Sequence, residues 1–539
     1  MRIDRGVVIL ENAPNKMRVA TTTSRPWQVP SLVFGLVLLW KIALLVFTVQ
    51  PVPGNDAFFY DGPVVNYLLH GKYVNPALAM TLPISGSEVF SAYPPLYQAA
   101  LFVWMRLFGT SAVSAMVFHV VLFGLYSVVV IAILNRLCVP AWCNHMASLF
   151  MLVLTFHDRP DSLAHVLGML GVLGLVRYRT AAVPKQRSNR PGSLWFMAAC
   201  AILCTCTSLQ IGAVYLCVIW LATLAAWLFR HCRPALAPIT TMLVTPCVLV
   251  CVVALFFPKL WAGFVEHARV TPSMMGLHMP SLTDLLKICR TVPGVLVAGL
   301  LLVWLWYTRR IPKGAELGET WLITFASVVT GLMIAVVCMF FWSANMVLMG
   351  AYLQPLAVAC VLAALTTVLT KDTLRRMVFP VFGAAALLGA IRAIGMSTWG
   401  VACAVDMDYS RALDIVRTEL AELPRQGPVV LSSAYLYEAA KYRDLNCVHS
   451  DWVGKFVRGK QNQELGWLLE LKPPKLILTQ FDYYRRYESV LSRLKNSGVE
   501  VEVIVVNTAK VRAPDSYCLW RRVIQHISWA PVIVELSWR

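Results

Sequence analysis

The chain has 539 residues, 58% of them hydrophobic and only 14% charged, with a mean hydropathy of +0.65. That balance excludes an ordinary soluble enzyme, whose surface needs a larger charged share, and places the chain among polytopic membrane proteins. The net charge of +19 does not indicate nucleic acid, because much of it sits in short loops between apolar runs, where membrane topology alone accounts for it.

Crossing roughly 30 Å of hydrocarbon takes about 20 apolar residues, and such runs recur over 31–395. The pattern predicts about eleven spans, at 31–49, 113–134, 142–156, 162–176, 194–207, 211–229, 235–257, 291–308, 320–342, 351–370 and 377–396. No small-residue cleavage pattern follows the first span, so it reads as a retained anchor behind a basic tail, 1–30. Lys41 lies mid-span, where a charge costs at least about 2.5 kcal/mol, and is expected to face the bundle interior.

Lys and Arg collect in short cytoplasmic loops. The clusters Arg2 to Arg25, Arg177 to Arg190, Arg230 and Arg233, Arg309 to Lys313, and Lys371 to Arg376 all fall on one side of the eleven-span arrangement. The N-terminus is therefore expected in the cytoplasm. The long loops 50–112 and 258–290, and everything over 398–539, are expected outside, with 31–397 as the membrane domain. Of the fifteen cysteines many lie inside spans, where a thiol is a small apolar packer. No two CxxC motifs exist to hold zinc. The chain has no Asn-x-Ser/Thr sequon, which favours a bacterial inner membrane over a secretory-pathway one.

The first outer loop opens with GNDAFFYDG (54–62) and continues to SAYPPLY (91–97). Asp56 lies close beyond the first span, where a carboxylate at the membrane surface is partly dehydrated and suited to general-base work. Tyr60 and Asp61 follow on an expected interfacial helix over 56–70, with Phe58, Phe59, Tyr67, Leu68 and Leu69 to float it. A plain helix cap at Asn55 or Asp56 is the competing reading. His157, Asp158, Arg159 and Asp161 crowd a short turn between two spans. They suit either a substrate contact or an internal ion pair that caps the next helix. In 258–290, Lys259, His267 and Arg269 run against the outer-face charge bias, which points to an anion or to lipid headgroups.

Beyond 398 the period changes. GPVVLSS (427–433), LNCVHS (445–450), KLILTQ (475–480) and VEVEVIVVNT (499–508) read as strands with amphipathic helices between them. This predicts a small α/β domain with a largely parallel sheet, assigned to packing or acceptor recognition.

An Asp soon after the first span, then LLHGKYVNP (68–76), YPPLY (93–97), LFGTSAVSA (107–115) and HDRPDSLAHVLGML (157–170) together resemble the GT-C membrane glycosyltransferases. The nearest branch holds the bacterial aminoarabinose transferases and the protein O-mannosyltransferases. The resemblance implies a polytopic α-helical membrane fold with an outer soluble α/β domain, and transfer of a sugar from a polyprenyl-phosphate donor to an acceptor glycan, lipid or protein. It makes Asp56 the catalytic base. The Asp-Glu pair of the family is absent, since Ala57 follows Asp56, so a second acid falls to Asp61 or Glu88. That departure leaves a divalent metal possible but not required.

A departing lipid phosphate needs preorganised donors, for which Arg159, Lys259, His267 and Arg269 are the candidates. Tyr60, Glu88, Tyr93, Tyr97, His157, Asp158 and Asp161 are the expected substrate contacts. A transporter or envelope scaffold is the alternative class. It has little need for a loop of about 60 residues after its first helix or for an outer α/β domain.

Overall fold

The computed structural model describes residues 28–48, 56–136, 159–179, 191–230, 236–270, 326, 329–330, 409–423, 427–450, 463–508 and 530–539. Its first half runs through α1 (Gln28–Thr48), α2 (Ala57–His70), a 3-10 turn (Pro76–Leu78), a π turn (Ile84–Glu88), α3 (Leu96–Phe108) and α4 (Ala112–Arg136). Then follow α5 (Asp161–Arg179), α6 (Pro191–Thr205), α7 (Leu209–Arg230), α8 (Leu236–Phe256) and α9 (Pro258–Val270). Among the described residues, Ala112–Arg136, Leu209–Leu228 and Ala237–Phe256 are long and apolar enough to cross a bilayer. Six expected spans coincide with α1, α4, α5, α6, α7 and α8. Those at 142–156, 291–308, 351–370 and 377–396 lie outside the described residues, as does most of 320–342.

α5 packs against α4, α6 and α7. Small residues make that closeness possible: a Cβ on Gly168 would stand 2.1 Å from the Tyr215 ring, so only hydrogen there lets α7 sit where it does. Lys41 turns inward as expected, with Nζ 5.0 Å from the centroid of the Phe123 ring on α4.

The expected interfacial helix exists as α2, but it does not float. Its residues Ala57 to Asn66 are buried, including Phe58 and Phe59, and only Tyr67 and Leu69 of the apolar set are largely exposed. The reason lies in the loop that folds back over it. Pro63 interrupts the helix and lacks the N–H that would bond the carbonyl of Phe59. Asn75 Nδ2 donates to that carbonyl at 3.2 Å and to the carbonyl of Phe58 at 2.9 Å. Gly62 admits this amide, since a Cβ there would lie 2.5 Å from Asn75 Nδ2. Gly62, Pro63 and Asn75 thus act as one device that pins the loop to α2.

The second half holds α10 (Tyr409–Ala421), β1 (Val429–Leu431), α11 (Ser433–Ala439), β2 (Cys447–His449), α12 (Gln463–Leu471) and β3 (Lys475–Thr479). A π turn (Tyr483–Tyr487) leads into α13 (Glu488–Lys495), followed by β4 (Val501–Asn507) and β5 (Pro531–Trp538). The sheet order is β2-β1-β3-β5-β4. β1 pairs in parallel with β2 and β3, whereas β5 pairs antiparallel with both β3 and β4. The expectation of a largely parallel sheet is corrected here. PVIVELSW was not assigned as a strand, yet it inserts between β3 and β4 and makes that half antiparallel.

Strand alternation divides the sheet's side chains between two cores. Val430, Leu476 and Leu478 pack with Trp467, Leu491 and Leu494 of α12 and α13. Val429, Leu431 and Ile477 belong to a second apolar cluster that runs through α10 and α11 into α2, α3, α4 and α5. The sheet is therefore continuous in packing with the helices that carry the first loop.

Candidate active site

Asp56 precedes α2 with helical backbone angles (φ −93°, ψ −13°), and its side chain makes no capping bond. The plain cap reading therefore does not describe it. Its Oδ2 accepts from Arg159 Nη1 at 2.9 Å, with the carboxylate side chain 25% exposed and the guanidinium side chain 11% exposed. The pairing is through one oxygen, and Asp56 remains open to solvent.

Arg159 is the hub. Its Nη2 donates to the Tyr60 hydroxyl at 2.8 Å, its Nε lies 3.3 Å from Asp161 Oδ2, and its guanidinium carbon sits 5.2 Å from the Tyr60 ring centroid. Tyr93 meets Tyr60 edge to face at 4.9 Å. Burial raises the Tyr93 pKa and Asp161 raises it further, while Arg159 opposes both.

The His267 ring stands 6.0 Å from Phe59 and 6.2 Å from Tyr93. Burial, then the nearby Arg159, pushes its pKa down to about 4. Near neutral pH His267 thus offers a hydrogen bond, not a charge. α9 is held in place where Glu266 Oε1 accepts from the Ile84 N–H at 3.4 Å.

The other expected residues stand behind or beside this group. Asp61 is fully buried, accepting from Tyr97 at 2.7 Å and from Tyr437 at 2.5 Å. Tyr97 is likewise buried and touches His119 Nε2 at 2.9 Å. Asp161, 3% exposed, is held by Arg159 and by the Ser208 hydroxyl at 3.0 Å, which matches the internal ion-pair reading at the start of α5. Glu88 pairs at 3.0 Å with Lys259, and the side chains are 48% and 75% exposed.

Arg269 is exposed in the last turn of α9, and no described contact links it to Arg159. His157 and Asp158 lie outside the described residues. The converging set is therefore Asp56, Tyr60, Tyr93, Arg159 and His267. Sequence reasoning missed His119, Ser162, Ser208 and Tyr437: their partners lie far off in the chain or across a turn, and no spacing marks them. Among the described residues, no three His, Cys, Asp or Glu side chains gather as a metal cluster.

Most of the chain is similar in fold to solved structures. ArnT from Cupriavidus metallidurans, in its crystal structure bound to undecaprenyl phosphate, is 14% identical, with a TM-score of 0.52 over 94% of this chain and 97% of that one. Its apo form matches over the same shares with a TM-score of 0.53. The oligosaccharyltransferase of Archaeoglobus fulgidus, in complex with Zn and sulfate, is 11% identical, with a TM-score of 0.48 over 85% of this chain and 69% of that one. No family model matches the chain, and no curated protein matches it. At these identities the likeness is one of fold: the chain has the GT-C membrane fold.

Proposed function

We propose that this protein is an integral membrane glycosyltransferase that moves a sugar from a polyprenyl-phosphate donor to an acceptor hydroxyl, inverting the anomeric centre. The observation that carries the reading is the Asp56–Arg159 pair, partly open to solvent and ringed by Tyr60, Tyr93 and His267. ArnT shares the fold and holds undecaprenyl phosphate in its crystal structure. A donor of that lipid class suits a site that presents one guanidinium to an anion and whose chain has no soluble nucleotide-binding motif.

The chemistry divides between the two ion-pair partners. With no donor bound, Arg159 is neutralised by Asp56. An arriving donor phosphate competes for the same guanidinium, because phosphate and carboxylate both match its planar fork. The contact to Asp56 loosens, and the freed carboxylate faces the acceptor hydroxyl. Asp56 takes the hydroxyl proton as the acceptor oxygen bonds to the anomeric carbon. The bond from that carbon to the phosphate oxygen breaks, and its electron pair leaves with the polyprenyl phosphate. Arg159 stabilises the growing phosphate charge, helped by hydrogen bonds from the tyrosine hydroxyls and neutral His267. The donor and acceptor both approach from outside the cytoplasm, with the N-terminus inside and 398–539 outside.

The test is release of free polyprenyl phosphate from a panel of polyprenyl-phosphate sugars by the purified protein in lipid, with cell-envelope extract as acceptor. Wild type should release it, and Asp56→Asn should be slower by about 10²- to 10⁴-fold, the usual worth of a positioned base, with unchanged expression. Equal rates would remove Asp56 as the base. No release from any donor would sink the transferase reading.

A further inference from the structure

The C-terminal sheet is joined to α2 by a polar contact inside an apolar seam. Tyr437 of α11 is 4% exposed and donates its hydroxyl proton to Asp61 Oδ2 at 2.5 Å. Its ring meets Phe58 edge to face at 5.0 Å. One helix length away, His70 Nε2 lies 2.7 Å from the carbonyl oxygen of Ala440 and donates to it. α11 therefore grips α2 at both ends.

The grip is stiff on each side. Behind α11, Arg417 of α10 donates to Glu438 at 2.9 and 3.2 Å, Lys441 reaches the same carboxylate, and the Tyr409 hydroxyl donates to the Ala434 carbonyl. Behind Asp61, Tyr97 donates to Oδ1, and a proton count fixes the next links. Tyr97 has one proton and gives it to Asp61, so its oxygen accepts from His119 Nε2–H. His119 Nδ1 then accepts from the Ser162 hydroxyl at 3.0 Å, which uses that hydroxyl's one proton, and the Ser162 backbone N–H donates to the Arg159 carbonyl oxygen at 3.1 Å. The chain of contacts starts in the sheet domain and ends on the backbone of the residue that holds Asp56.

We propose that Tyr437, through Asp61, is a positioning residue for the transfer reaction: the C-terminal domain sets the placement of α2, and with it Asp56 and Tyr60, against Arg159. The inference rests on the transferase reading above and assigns the domain a part in building the site. Asp61 and Tyr60 are neighbours, and Asp56 is five residues before Asp61, so a small rotation of α2 moves both catalytic side chains at once. Near-attack geometry is lost over about 1 Å, enough to cost roughly 10²-fold in rate. Tyr437→Phe keeps the ring against Phe58 and deletes only the hydroxyl, which isolates the polar joint from the packing.

The experiment has two arms on the full-length protein in lipid. In the first, amide exchange is followed over 57–70 in wild type and Tyr437→Phe; faster exchange there, with α4 and α7 unchanged, is expected, and unchanged exchange overturns the proposal. This arm needs no substrate, so it stands if the transferase reading fails. In the second arm, with a donor that wild type uses, Tyr437→Phe should lower kcat by about tenfold or more at unchanged donor KM, and Asp61→Asn should behave likewise. Full kcat in Tyr437→Phe, or a change confined to KM, overturns the positioning role while wild-type turnover leaves the transferase reading intact.

Discussion

Arg159 carries two duties that substitution separates. Its contact to Asp56 is partly solvent-exposed, but its contact to Asp161 is not: the two side chains are 11% and 5% exposed. Arg159→Ala leaves the Asp161 carboxylate buried without this cation, and removing one member of such a pair costs about 3–5 kcal/mol. Denaturant unfolding should show that loss. Arg159→Lys keeps a charge and should retain more of the stability, yet it should lose transfer because an ammonium cannot reach Asp56, Tyr60 and Asp161 together. Lys259→Ala is the contrast. Its pair with Glu88 is exposed, and such pairs contribute about 0–1 kcal/mol. Neither the melting profile nor the donor KM should move, whereas a raised KM would return Lys259 to the phosphate site.

His267 ties the site to pH. Its folded pKa of about 4 lies below the ordinary value of 6.5, through burial and then Arg159. The stability linked to its neutral ring is therefore intact above pH 6.5 and is lost as the pH falls from 6.5 toward 4. Glu266 on the same helix has its pKa raised by burial and works in the opposite direction, so the readout is a difference. Melting temperature against pH for wild type minus His267→Gln should slope over pH 4–6.5 and lie flat above it. A flat difference throughout would show that the ring charges without cost.

At the scale of elements, the apolar helices and four of the five α/β strands were legible because their signals are local: runs of about 20 apolar residues, and short β-branched runs between turns. The pinning of α2 was not, because it depends on Asn75 meeting Phe58 and Phe59 across the loop. The same holds for the site. Asp56 and Arg159 stood out as charges at membrane edges, but the burial of Asp61 is set by Tyr97 and Tyr437, 36 and 376 residues away. The Gly62–Pro63–Asn75 device gives a sharp expectation. Asn75→Ala leaves two buried carbonyls without this donor, at about 1–3 kcal/mol for an unsatisfied buried group. Gly62→Ala drives a methyl into Asn75 and should loosen the same loop. Limited proteolysis should cut over 71–90 faster in both variants, and equal cutting rates would mean that apolar packing alone holds the loop.

Across the whole molecule, the chain direction sorts charge and chemistry to opposite ends. α1 ends near Asp56, α5 begins beside Arg159, the α6–α7 turn brings Ser208 to Asp161, and α8 ends at α9 with His267. Leu96 N–H bonds the Cys206 carbonyl at the same end. Arg136, Arg177, Arg179 and Arg230 lie at the far ends of α4, α5 and α7. Because basic residues tend to gather on the cytoplasmic side, the proposed site is expected on the outer side. A lipid-linked sugar presented outside the cytoplasm would meet it there. Cysteine labelling with a membrane-impermeant maleimide on intact spheroplasts decides the matter, with wild type setting the background from native thiols. Lys259→Cys, on an exposed position of α9, should label at once. Arg177→Cys, exposed near the end of α5, should label only after permeabilisation. The reverse pattern would put Asp56 and Arg159 on the cytoplasmic side, where the donor would have to be used before any flipping step, and the outward-facing mechanism would have to be abandoned.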